Sequence, residues 1–222
     1  MVEAVVEAQL PVVALLRAAL VVLVQPRAVP VALWLRQQEW LADPQHALLA
    51  SRQVVMARVR HMREVLRQRR PTDFIKERDI LQGALKSSGS ATDLAALNGV
   101  EGNATRVYFR ALKALVPERY GFTGRNRRPP RDPFNALLSL GYTLLYAHVE
   151  TLVRVSGLYP WAGFYHQPHG THATLASDLM EPFRHLVERV ALTAVTRGTL
   201  EPGDFRTDER LGCRLNPPAL RR

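Results

Sequence analysis

The sequence predicts a mainly α fold: two short strands over residues 1–41, then a helical domain over 42–222. Three observations predict it. From His46 to Arg70, apolar residues recur at helical spacing with no breaker before Pro71. Asp132-Pro133, a capping residue followed by proline, opens a long apolar run that ends near Gly157. The first 35 residues read differently, as β-branched runs bounded by proline.

The N-terminal runs "ALVVLV" and "VPVALWL" read as buried strands. A bilayer span needs roughly 20 uncharged apolar residues. Arg17, Pro26, Arg27 and Pro30 interrupt this one. Glu3 and Glu7 stand where a signal peptide would be basic. No membrane segment is therefore expected, an interfacial anchor being the alternative. "FIKERDILQGALKS" is a second helix after the long one. Ser90 is the expected cap, with Asp93 three residues on, and a third helix runs over 99–116 to Pro117. An arginine-bearing loop follows. The run after Asp132 is apolar almost all round, so it is expected as the buried central helix. Thr174 would cap a last helix over 175–198, and the tail reads as polar and irregular.

Thirty Lys and Arg face twenty Asp and Glu, a formal charge of +10. A domain this basic points to a polyanionic partner, nucleic acid above all. Cys213 is the single cysteine, so no disulfide closes within the chain and no CxxC zinc pattern exists. That suits a reducing, cytoplasmic setting. No GxSxG elbow, P-loop or GxGxxG occurs.

The stretch "GFYHQPHGTHATLASDLMEPFR" concentrates metal-ligating types: His166, His169, His172, then Asp178 and Glu181. Residues three apart share a helix face, so Asp178 and Glu181 project together, with His185 a turn further. Carboxylate plus imidazole binds Mn²⁺, more weakly Mg²⁺, and Zn²⁺. The two acids also suit a plain first helical turn, where they complement the dipole. Glu101 lies among glycines in "NGVEGNATRVYF"; it is either a further ligand or a helix N-terminal acid. Arginines come in two runs. Arg52, Arg58, Arg60, Arg63, Arg67, Arg69 and Arg70 accompany one acid, Glu64; Arg125, Arg127, Arg128 and Arg131 line the loop. Phosphate contact accounts for both, through backbone and shape rather than base edges.

"NGVEGNATRVYF", "GRNRRPPRDPFNALLSLGYTLLY" and "GFYHQPHGTHATLASDLMEPFR", in this order and spacing, resemble the CRISPR-associated adaptation endonuclease and integrase family, "Cas one". The resemblance runs from about Ala42 to the late 190s. It implies a helical catalytic domain binding Mg²⁺ or Mn²⁺ through Glu101, His166 and Asp178, with Glu181 a further acid near the metal. Asn135 would support the site, and Tyr146 and Arg184 would lie near the DNA. His169 and His172 match no family position, and His185 is the weaker alternative ligand. Family members carry a β-rich N-terminal domain that builds much of a dimer. Residues 1–41 read as a short remnant of one. The function implied is insertion of short DNA fragments into a CRISPR repeat by phosphoryl transfer. The substrate would be double-stranded DNA, and the chain would act as a homodimer with a small companion adaptation protein. The alternative is a DNA-binding helical module without catalysis.

Overall fold

Asp43 starts the longest helix through a local rule. Its carboxylate accepts from Gln45 N at 2.8 Å, and Pro44 takes the first helical position. The computed structural model describes residues 31–126, 129–167 and 170–219. There the elements are α1 (Val31–Ala42), α2 (Pro44–Arg69), α3 (Ile75–Ser90), α4 (Leu94–Lys113), α5 (Pro133–Val155), α6 (Thr174–Met180) and α7 (Arg184–Thr196). A hairpin of β1 (Phe205–Asp208) and β2 (Gly212–Leu215) follows. The mainly α prediction holds.

Helix α2 buries Val54, Val55, Val59, Met62, Val65 and Leu66, steps of three and four along one face. Helices α3 and α4 pack on α2 and on each other, while α5 packs with α6 and α7. Because α2 also touches α6, α7 and the turn between them, it joins the two groups. The core runs through Leu81, Leu97, Tyr108, Leu112, Phe134, Leu138 and Leu192.

Several expectations are corrected. "VPVALWL" is not a strand over Val31–Leu35 but the first part of α1. Helical spacing puts Trp34 and Gln37 on one face. Trp34 Nε1 donates to Gly157 O at 2.9 Å, and Gln37 Nε2 donates to Tyr159 O at 3.0 Å. These tertiary partners outweigh β propensity. The expected strand "ALVVLV" lies outside the described residues. Ser90 ends α3; the cap of α4 is Asp93, whose carboxylate accepts from Ala96 N at 2.8 Å. The last helix is broken at Pro182, whose missing N–H cannot bond back to Asp178. Thr174 does not cap it. Its hydroxyl donates to Trp161 O (2.7 Å) and accepts from Gly163 N (3.0 Å), clasping the preceding loop.

Helix α5 is long and apolar enough to cross a bilayer by length and composition. It is not buried all round: Leu152 and Val155 are both 52% exposed, while Phe134, Leu138, Tyr142 and Val149 face the core. Within the tail, expected as irregular, Phe205–Asp208 and Gly212–Leu215 form a hairpin. Its strands pair antiparallel, and Cys213, buried there, donates its N–H to Pro130 O at 2.7 Å.

Candidate active site

Residues distant in sequence meet around one cavity of about 200 Å³. Helix α4 supplies Asn98, Glu101, Thr105 and Phe109. Tyr165 and His166 come from the loop before α6, and Glu181 from the turn after it. Arg58, Arg125 and Arg184 enter from α2, the arginine loop and α7, and Tyr142 from α5. The structure thus brings Glu101, His166, Glu181, Arg125 and Arg184 to one place.

Asp178 stands behind this wall rather than in it. It is fully buried. Its Oδ2 accepts from Phe164 N (2.6 Å) and Tyr165 N (2.9 Å). Its Oδ1 accepts from His166 N (2.9 Å) and lies 2.6 Å from His166 Nδ1. A carboxylate offers about four lone-pair positions, so this one is saturated. The loop can fold so tightly because residue 163 is glycine: a Cβ there would sit 2.7 Å from Asp178 Oδ2 and 2.9 Å from Thr174 C.

That arrangement sets the tautomer of His166. The carboxylate receives Nδ1–H, so the neutral ring keeps its lone pair on Nε2. Nε2 stands on the cavity side, 3.9 Å from Glu181 Oε1. Burial disfavours the charged ring, but the hydrogen bond and charge of Asp178, with Glu181, outweigh it and raise the His166 pKa. Glu181 Oε1 also receives Arg184 Nη2 at 2.9 Å, and Glu101 Oε1 accepts from Thr105 Oγ1 at 2.7 Å.

Beneath the cavity, Glu188 of α7 is completely buried. Arg58 Nη2 donates to its Oε1 at 2.5 Å; Tyr142 OH and Tyr108 OH donate at 2.6 and 2.8 Å. One carboxylate therefore ties together α2, α4, α5 and α7. Burial alone would keep Glu188 neutral; the Arg58 charge overrides it and lowers its pKa. The Tyr142 ring lies between two guanidinium groups, 4.8 Å from Arg184 and 5.5 Å from Arg125.

The remaining candidates fall elsewhere. His172 Nε2 lies 2.7 Å from Ser177 Oγ, and its ring stacks on Tyr146 at 4.9 Å. Tyr146 OH accepts from Ala173 N, away from the cavity lining. His185 Nδ1 donates to Pro182 O, and its ring lies 3.9 Å from that of His61. His169, Arg127 and Arg128 lie outside the described residues. Arg131 is exposed. Asn135, fully buried, holds the arginine loop: it donates to Gly124 O and accepts from Asn126 N and Arg125 Nη1. Gly99 and Gly102 admit no close neighbour, for a Cβ on either meets nothing within 4 Å.

Four side chains of the first arginine run have partners within the fold. Arg52 donates to Ala91 O, Arg58 to Glu188, Arg67 to Glu64 and Arg69 to Thr193 Oγ1. Sequence reasoning missed a second basic feature. Arg106, Arg110 and Lys113 of α4, with Arg125, line an open groove of about 580 Å³ that shares Thr105 and Phe109 with the cavity. Their spacing of three and four was the available signal.

Among the described residues, no three His, Cys, Asp or Glu side chains enclose a point tightly enough for an ion as they stand. The donor set nonetheless fits a hard divalent cation: two carboxylates and an imidazole whose free lone pair faces the cavity.

The family model for CRISPR associated protein Cas1 matches residues 1–222. The chain is 46% identical over 140 residues to the CRISPR-associated endonuclease Cas1 1 of Thermus thermophilus, covering 63% of this chain and 44% of that protein. A chain of the partial Cas6-RT-Cas1–Cas2 complex superposes with a TM-score of 0.81 at 37% identity, covering 88% of this chain and 60% of that one. A casposase bound to integration product gives 0.77 at 26% identity, covering 88% and 56%. The chain spans about half the length of the Cas1 relatives it matches. With the family model matching from end to end and the fold matching solved relatives, the chain belongs to the Cas1 family.

Proposed function

We propose that this chain is a divalent-metal-dependent DNA endonuclease and integrase of CRISPR adaptation, with residues 42–222 as its catalytic domain. The observation that carries the reading is the convergence of Glu101, His166 and Glu181 on one cavity rimmed by arginines. These three would hold Mg²⁺ or Mn²⁺, Glu101 and Glu181 turning from Thr105 and Arg184 to do so. Asp178, expected as a ligand, acts in this reading by orienting His166. When bound, the cation supplies Lewis acidity toward a phosphoryl oxygen.

The chain's own residues do the rest. Asp178 keeps the His166 Nε2 lone pair on the cavity. Arg125 and Arg184 offset phosphate charge at its rim, and Arg106, Arg110 and Lys113 continue a positive path for the backbone. The attacking group would be the 3′-hydroxyl of a short DNA fragment, and the bond broken a phosphodiester of the repeat. The casposase neighbour, solved with an integration product, supports a DNA substrate. The Cas1–Cas2 neighbours support a companion protein of the Cas2 kind. In this reading the chain works as a cytoplasmic homodimer.

The test mixes the protein, a labelled duplex with free 3′ ends, a supercoiled repeat plasmid and Mn²⁺. Label should join the plasmid with wild type and not with Glu181→Gln or His166→Ala. Full activity in both variants sinks the proposed site. Salt-sensitive DNA binding without any joining makes the chain a binding module.

A further inference from the structure

Arg58 is only 2% exposed, yet two of its donors are unused. Nη2 is spent on Glu188. Nε stands 3.9 Å from Glu181 Oε2, beyond hydrogen-bond distance. Neither Nε nor Nη1 has a partner. Buried side-chain nitrogens and oxygens are almost always paired, so each exception calls for a reason. Among the described residues there are four such atoms: Arg58 Nε, Arg58 Nη1, Arg184 Nε and Arg63 Nε. Three of the four belong to two arginines that line the same cavity.

A counter-ion role explains only part of this. Neutralising Glu188 needs one donor and one charge, and a lysine would serve. The planar fork is what remains unexplained. Glu188 holds one nitrogen of the Arg58 guanidinium, whose carbon lies 5.8 Å from the Tyr108 ring centroid. A charged donor with unused N–H groups beside a polar cavity suits an anion bearing several oxygens.

We propose that Arg58, resting on the DNA-processing reading above, is a substrate-contacting residue that donates to a non-bridging oxygen of the phosphodiester seated in this cavity. Arg184 Nε supplies a neighbouring donor. The buried α2 arginine thus does two jobs with separate nitrogens: Nη2 anchors α7, while Nε and Nη1 receive phosphate.

The experiment measures DNA affinity by fluorescence anisotropy in EDTA, so that no metal and no turnover is required. The probe is a short duplex with a 3′ overhang, in which one phosphodiester at a time becomes a neutral methylphosphonate. One linkage should lose about tenfold to a hundredfold in affinity with wild type, the range for a charge-assisted contact. Arg58→Lys keeps a cation for Glu188. It should lose a similar factor on unmodified DNA and show no further loss at that linkage. Unchanged affinity for unmodified DNA, or losses that multiply at every linkage, overturns the proposal. If Arg58→Lys fails to fold, Arg58→Gln in a Glu188→Gln background gives the same comparison, since the amide oxygen accepts from one tyrosine and its NH2 donates to the other hydroxyl. The two readings fail separately. Coupling without strand transfer keeps the phosphate contact and sinks the integrase; strand transfer without coupling does the reverse.

Discussion

At the scale of single residues, Asp178 carries the most structure per atom. Asp178→Ala would strand the N–H groups of Phe164, Tyr165 and His166 in a buried setting. The expected cost is about 3–5 kcal/mol, read as a lower melting temperature. Asp178→Asn is milder and moves a proton equilibrium. The folded His166 pKa lies above its ordinary value, so its stabilising contribution is fully present below the unfolded value and is lost as pH rises through the folded one. In the metal-free protein, an NMR titration should place His166 above the ordinary histidine range. Asp178→Asn should lower its midpoint, and an unmoved midpoint would remove Asp178 as the cause. Gly163→Ala should destabilise the same loop by about 1–3 kcal/mol, because its Cβ meets Thr174 backbone that cannot swing away.

At the scale of elements, the pairing of α5 with α7 depends on one small residue. A Cβ on Gly141 would fall 2.4 Å from Val187 Cγ1. Gly141→Ala should cost about 1–3 kcal/mol in chemical denaturation, and adding Val187→Ala should return much of it. Simple additivity of the two costs would show that the crossing does not depend on this contact. The break at Pro182 belongs to the same scale. It separates α6, which carries Asp178 behind the loop, from α7, which carries Arg184 and Glu188.

At the scale of the whole molecule, the buried Arg58–Glu188 pair joins the two helical groups. Glu188→Ala leaves Arg58 buried without its anion and should cost about 3–5 kcal/mol, whereas Glu188→Gln should cost less. Equal melting temperatures for the two variants would contradict that account. Much of the architecture was legible in the sequence. Helix caps such as Asp43 and Asp132 act on the nearest backbone N–H groups, and the buried face of α2 follows from local spacing. Motif order set Glu101, His166 and Asp178 in one expected family site with Glu181 beside it, whereas the cavity gathers Glu101, His166 and Glu181. What the sequence alone determined is therefore local and chemical: the long periodic helices, the Asp132 cap, charge, and the residue types available. Tertiary structure decided which of them face one another. It turned "VALWL" into helix through partners 122 and 123 residues away, set Asp178 behind His166, and buried Arg58 with two unused donors. The physical reason is range. A cap or a periodic face is settled within a turn, but the orientation of a carboxylate or guanidinium depends on groups that only folding brings near.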